Sequence, residues 1–286
     1  MTLSDYIQLI KPKIIPLLIL VAVSSSVIAT RSLPSYTILI GLVGAGTLSS
    51  AGALAINSYL EADIDAKMKR TKKRPLPSNR ISPAKALTLG LTLLGVGIII
   101  SFALLPIWAT FFITLGAVIY IPIYTLWLKP RTSWNIVLGG SAGSCAALAG
   151  WYAVTTASPV VAWILAALVF VWTPSHFWSL AVITEEDYSA AGIPMLPSVV
   201  GVKRASKFIV ANTLLLIPIS LLFYLYLTGT GQLVYLVGAF VLDLLILATN
   251  VKLLLSPTKS NAWLAFKFSS PYLALIFVLA CLGAVI

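Results

Sequence analysis

An amide and two acids at spacing four, Asn57, Glu61 and Asp65, close a glycine- and alanine-rich apolar run, in the segment NSYLEADIDAKMKRTKKRPLP at positions 57–77. On a helix this spacing returns to one face, so the three would line about two turns. Six Lys or Arg residues follow between positions 67 and 74. Carboxylates hold a hard divalent cation while leaving it open to substrate phosphates, and clustered cations hold phosphate oxygens. These types and spacings indicate a metal–diphosphate site at the end of a membrane helix. Asp63, two residues from both Glu61 and Asp65, falls about 200° around the axis. A regular helix turns it away, toward the basic loop; a break near Asp65 would let it join the metal.

A second acidic cluster, Glu185, Glu186 and Asp187, opens another long polar segment, and both segments end in cations. The two read as a weak internal repeat. With the acids taken to lie at the C-terminal ends of their helices, where the macrodipole disfavours negative charge, topology alone does not explain them. The single histidine, His176, lies about ten residues before Glu186, or about 15 Å along a helix. Pro174 just before it is expected to kink that helix. A neutral imidazole there is either an iron ligand or a helix–helix hydrogen-bonding group. Asp243 falls inside an apolar run, where a hydrogen-bonded structural role is expected ahead of catalysis.

These residues need elements to hold them, and composition defines those. The chain has 286 residues, is 59% hydrophobic and 9% charged, with a mean hydropathy of +1.01. That composition is a polytopic membrane protein. The pattern predicts an all-α bundle of nine spans, at 14–31, 37–60, 84–104, 107–128, 134–155, 160–183, 207–228, 232–254 and 264–286. Each carries about the twenty residues a membrane helix needs. Alternating segments of a β-barrel are absent. With nine spans, Arg31 alone of nineteen cations falls on one side, so the N-terminus is expected in the cytoplasm and the C-terminus outside. The net charge of +11 is then topological and headgroup-facing, with no nucleic-acid partner implied. Cys145 and Cys281 fall in different spans and carry no redox inference. The first apolar run follows Lys11 and Lys13 as a signal peptide would, and is expected to stay as the first span. Residues 1–286 read as one integral-membrane domain.

The segment 57–65 resembles the first acidic motif of UbiA-type intramembrane prenyltransferases. MKRTKKRPL at 68–76, YTLWLKPRTSWNIVLGGSAGS at 124–144, WTPSHFW at 172–178 and EEDYSAAGIPMLPSVVG at 185–201 resemble, in order, the blocks of the protoheme IX farnesyltransferase (heme O synthase) branch. The resemblance implies a Mg2+-dependent enzyme of the cell membrane, with its active site on the cytoplasmic face. Its substrates would be farnesyl diphosphate and heme b. It also implies association with a heme A synthase or with terminal oxidase assembly. Asn57, Glu61 and Asp65 would be catalytic and hold one metal, with Glu186 and Asp187 candidates for a second. Arg70, Lys73, Arg74 and Lys129 would neutralise the departing diphosphate. Tyr120, Tyr124 and Trp127 would either shield a carbocation or form an interfacial belt. His176 would meet the heme as axial ligand or propionate contact, and Phe177 and Trp178 would pack on porphyrin or on lipid. Two departures stand out: Glu61 replaces the commoner Asp, and the second cluster lacks two well-spaced aspartates. The rival readings are a quinone or phenol prenyltransferase and a non-catalytic heme-binding assembly factor. A transporter would instead place its ionisable groups near the midplane.

Overall fold

Apolar runs of this length must satisfy every backbone group internally, and they do so as helices. The computed structural model describes residues 2–286, and no strand occurs among them. A short α1 (Leu3–Leu9) leads to α2 (Ile15–Thr30), α3 (Tyr36–Leu60) and a one-turn α4 (Ala62–Lys67). Next come α5 (Pro83–Leu104), α6 (Ile107–Val118), α7 (Asn135–Gly139) and α8 (Ser141–Tyr152). The second half holds α9 (Pro159–Ile183), the short α10 (Glu185–Ala190) and α11 (Leu196–Val200), then α12 (Val202–Leu222), α13 (Gly229–Leu255) and α14 (Lys259–Val285).

Seven helices among the described residues are long and apolar enough to cross a membrane. The other two expected spans are α2, with 16 residues, and the run 134–155, interrupted at Gly140 into α7 and α8. Most of the central α9 is buried, 72% of its most apolar stretch against 17% in α5, so α9 is the post around which the bundle packs. Trp172 of α9 fills the core together with Tyr235, Tyr272 and Phe277 of its neighbours.

Two features aim the polar end. The first is a close helix pair: a Cβ on Gly52 of α3 would lie 2.4 Å from the Leu94 backbone nitrogen of α5 and 2.7 Å from the Gly90 carbonyl. Such backbone approach is how membrane helices gain contact without a hydrophobic drive. It fixes α3 and therefore the acids at its end. The second is a π-helix, Ile119–Leu128, that continues α6 around Pro122. Proline removes one amide from the ladder, and the wider turn takes the bonding one residue further. Lys129 N donates to Tyr124 O at 2.8 Å, across five residues.

Of the six clustered acids expected at helix C-termini, Glu61 alone is there, as the C-cap of α3. α3 ends at Leu60 and α9 at Ile183, each after 25 residues. A new six-residue helix starts after each, with Asp63 and Asp65 in the first turn of α4 and Glu185, Glu186 and Asp187 in that of α10. For those five the dipole favours negative charge, while Glu61 stands between the C-terminus of α3 and the N-terminus of α4. The parallel between the two halves remains.

Candidate active site

The bonding register of α3 runs on through its end. Glu61 N donates to Asn57 O at 3.0 Å and Asp65 N to Glu61 O at 2.8 Å. The spacing of four therefore does put Asn57, Glu61 and Asp65 on one face, and all three are buried while Asp63 is exposed.

Each of the three meets its own cation. Lys11 Nζ donates to Asn57 Oδ1 at 2.5 Å, and Asn57 Nδ2 donates to Thr125 Oγ1 of the π-helix at 3.0 Å. Lys129 Nζ sits 2.5 Å from Glu61 Oε1. Arg74 Nη1 donates to both oxygens of Asp65, at 3.1 and 2.8 Å. Burial alone would raise the Glu61 carboxyl, but Lys129 and Lys11 hold it below the ordinary 4.5. Burial would lower Lys129, and Glu61 raises it instead. Desolvation, with Arg74 and Lys129 nearby, lowers the half-buried Lys11 to about 8 despite Glu61.

The basic loop after α4 is tied on both sides. Asp187 accepts from the Lys69 and Arg70 backbone amides at 3.0 and 3.1 Å. Arg80 pairs with Asp5 of α1 and donates through Nη2 to Lys73 O at 2.8 Å. Of the predicted phosphate-binding cations, Arg74 and Lys129 are turned onto the acids, whereas Arg70 and Lys73 are exposed. Glu186 is 62% exposed on its side chain and pairs with Lys259 at 2.6 Å. No three Asp, Glu, His or Cys side chains converge as a metal cluster among the described residues. Glu186 and Asp187 are thus engaged elsewhere, one in a surface ion pair and one on the loop backbone.

The Tyr120 and Tyr124 rings stack with centroids 5.8 Å apart, and Lys129 Nζ lies 5.9 Å from the Tyr124 ring. A Cβ on Gly139 would lie 2.5 Å from the Tyr124 ring, so α7 presses that ring into place. Trp127 is 59% exposed and faces outward, the interfacial alternative. His176 is buried between the rings of Trp172 (4.5 Å) and Phe266 (4.7 Å), with Nδ1 3.0 Å from Ser269 Oγ. Phe177 meets the His176 ring edge-on at 5.1 Å, and Trp178 packs near Phe208 in a separate cluster. Asp243 accepts from Ser220 Oγ at 2.6 Å and from Tyr272 Oη at 2.7 Å, within the core.

Residues 17–283 match the UbiA prenyltransferase family. The chain belongs to that family. Over 285 residues it is 44% identical to protoheme IX farnesyltransferase 1 of Cenarchaeum symbiosum, covering 98% of this chain and 95% of the relative. It is 42% identical over 281 residues to the protoheme IX farnesyltransferase of Metallosphaera sedula, covering 98% and 96%. Among solved structures, a digeranylgeranylglyceryl phosphate synthase superposes with a TM-score of 0.74 at 21% identity, over 99% of this chain and 98% of that one. A UbiA homolog from Archaeoglobus fulgidus bound to DMAPP and Mg2+ gives 0.68 at 16% identity, over 96% and 99%. At these identities the superpositions establish the UbiA fold.

One residue of this UbiA-family site that the sequence does not announce is Lys11. It sits before the first apolar run, where a lysine is ordinarily a topology signal. Its one distinguishing mark, a left-handed backbone at φ 47°, has no sequence signature. Thr125 and Ser269 were missed for a related reason: hydroxyls in membrane helices usually bond their own backbone.

Proposed function

We propose that this chain transfers a farnesyl group from farnesyl diphosphate to a vinyl group of heme b, with addition of water, giving heme O and diphosphate. The observation that carries this is the three-fold pairing of Lys11, Lys129 and Arg74 with Asn57, Glu61 and Asp65, in a chain 38–44% identical to several proteins named protoheme IX farnesyltransferase. In the reading, the whole of 1–286 is one prenyltransferase domain crossing the plasma membrane nine times. Its N-terminus and active site face the cytoplasm, following the charge bias of the loops.

The donor set fits Mg2+: two buried carboxylates and an amide oxygen, all hard ligands, carry counter-charges that a diphosphate can draw off. Asn57, Glu61 and Asp65 would hold it, and when bound it adds positive charge against the leaving diphosphate. The chain's own part is a change of partners. Lys11, Lys129 and Arg74 leave the site oxygens and turn to phosphate, so the charge balance of the buried site is kept throughout. Arg70 and Lys73, held close by the Asp187 and Arg80 ties, add to the phosphate side from the loop.

Cations aimed at the departing diphosphate stabilise the charge that grows as the allylic C–O bond breaks. The stacked Tyr120 and Tyr124 present ring faces that attract a carbocation and exclude water from it. The vinyl carbon then bonds to the farnesyl carbon, and water supplies the hydroxyl to the porphyrin side and releases a proton. His176 meets the heme from the Trp172–Phe266 sandwich, with Ser269 at Nδ1 orienting the ring so that Nε2 is the interacting edge.

The test is heme extraction with mass spectrometry after incubating purified protein with heme b, farnesyl diphosphate and Mg2+, against an EDTA control. A heme heavier by one hydroxylated farnesyl unit, absent with EDTA, is expected. Folded protein that returns heme b unmodified, yet prenylates a quinone-type acceptor, would refute the acceptor assignment.

A further inference from the structure

The end of the bundle remote from the acids holds a second polar site. α3 is 25 residues long, so its start lies roughly 37 Å from Glu61 along the helix. At that far end a cavity of about 200 Å3 is lined by Arg31, Trp151, Thr155, Ser158 and Tyr226, together with apolar side chains of α2, α9 and α14.

Three observations single it out. First, Arg31 forms no ion pair with an Asp or Glu among the described residues. Seven of the eight Asp and Glu residues belong to the opposite end, and Asp243 lies halfway along α13 on Ser220 and Tyr272. A cation at this end also runs against the charge bias of all the other loops. Second, both Arg31 (φ 52°) and Ser158 (φ 48°) adopt the left-handed backbone that residues with a Cβ rarely adopt. They are two of the four such non-glycine residues described, and strain of this kind gathers where a ligand is held. Third, the cavity borders an apolar groove of about 440 Å3 between α9 and α12, lined by Pro159, Trp163, Ala167, Ile219 and Leu222. Ser158 and Phe223 line the cavity while their neighbours Pro159 and Leu222 line the groove.

We propose that this cavity and groove together bind an anionic phospholipid. The phosphate sits against the Arg31 guanidinium and the Thr155 and Ser158 hydroxyls, and one acyl chain runs along α9 past Trp163 and Ala167. The turn that carries the hydroxyls is already braced, because Trp151 Nε1 donates to Ala157 O at 3.0 Å and Ala157 N to Thr155 Oγ1 at 3.0 Å. The Thr155 proton is left for the phosphate. A guanidinium without an Asp or Glu partner beside an apolar groove complements a charged headgroup with its tail, whereas a zwitterionic lipid brings a second cation to the same spot.

Native mass spectrometry of the purified full-length protein tests this, with phosphatidylglycerol and phosphatidylcholine of the same chains and with inorganic phosphate as competitor. Phosphatidylglycerol should be retained about fivefold better than phosphatidylcholine, the ratio one interfacial cation supplies. Arg31→Gln should remove that preference while prenyl transfer in detergent continues. Ala167→Trp, which fills the groove, should weaken both lipids, with turnover reporting that it is folded. An unchanged preference in Arg31→Gln overturns the headgroup site. Displacement of phosphatidylglycerol by equimolar inorganic phosphate overturns the lipid as its occupant.

Discussion

Replacing Lys129 by Met should destabilise the protein chiefly through what it leaves behind. Lys129 and Glu61 lie 2.5 Å apart with side chains only 11% and 6% exposed. Removing one partner of a buried pair costs about 3–5 kcal/mol, since the other charge stays buried and unmatched. Lys11 still attracts Glu61, which puts the expected loss at the lower end, about 3 kcal/mol. Removing both charges, Lys129→Met with Glu61→Gln, should cost much less, leaving a coupling of about 2 kcal/mol in the double-mutant cycle. The pH dependence carries a sign of its own. In the native protein Glu61 is held below 4.5, so its contribution is present above that value and is lost as pH falls through the folded value. Without Lys129, burial dominates and raises the carboxyl, so the variant should instead lose stability as pH rises above 4.5 toward the raised value. Unfolding in mixed SDS–detergent micelles, with all four proteins at several pH values, measures both. Additive single losses, or slopes of the same sign, would refute the pairing as the source of stability.

Lys11, lowered to about 8 in the folded state against 10.5, binds fewer protons than the unfolded chain between those values. Stability should therefore rise from about pH 8 to 10.5, and Lys11→Met should flatten that rise in the same unfolding assay. Asp187→Ala frees the Lys69 and Arg70 amides, so limited trypsin digestion should cut the 67–74 loop about tenfold faster, with Asp187→Asn between the two; equal cleavage rates would contradict the tie. Gly52→Ala drives a methyl into the α5 backbone and should cost roughly 1–3 kcal/mol, whereas Gly44→Ala, with open space at its Cβ, should be near neutral by thermal unfolding. Ser269→Ala removes the partner of His176 Nδ1, and His176→Ala the ring itself. Both should shift the heme absorption band and weaken heme binding while sparing farnesyl diphosphate affinity, and an unaltered spectrum in His176→Ala would assign that ring to packing alone.

How far the sequence could be read depended on the length scale of each feature. Apolar runs of about twenty residues are long enough to register, so the all-helical membrane fold was legible, as was the common face of Asn57, Glu61 and Asp65. One-turn helices were not. α4 and α10 are each too short for periodicity, and missing them reversed the dipole argument about their acids. The π-helix around Pro122 was equally invisible, because a shift from four-residue to five-residue bonding leaves hydropathy unchanged. Long-range polar pairing was beyond reach as well. Lys11 meets Asn57 across 46 residues and Lys129 meets Glu61 across 68, and nothing in either lysine's neighbourhood distinguishes it from a topology charge. Trp127 shows the opposite case: an aromatic within a motif block faces outward because the π-helix turns it there.

Whether the three cations change partners when diphosphate binds can be seen in a structure of the protein with farnesyl diphosphate and Mg2+. Lys11, Lys129 and Arg74 should then lie within hydrogen-bond distance of phosphate oxygens, with their bonds to Asn57, Glu61 and Asp65 broken. Diphosphate bound with all three pairs intact would contradict that exchange.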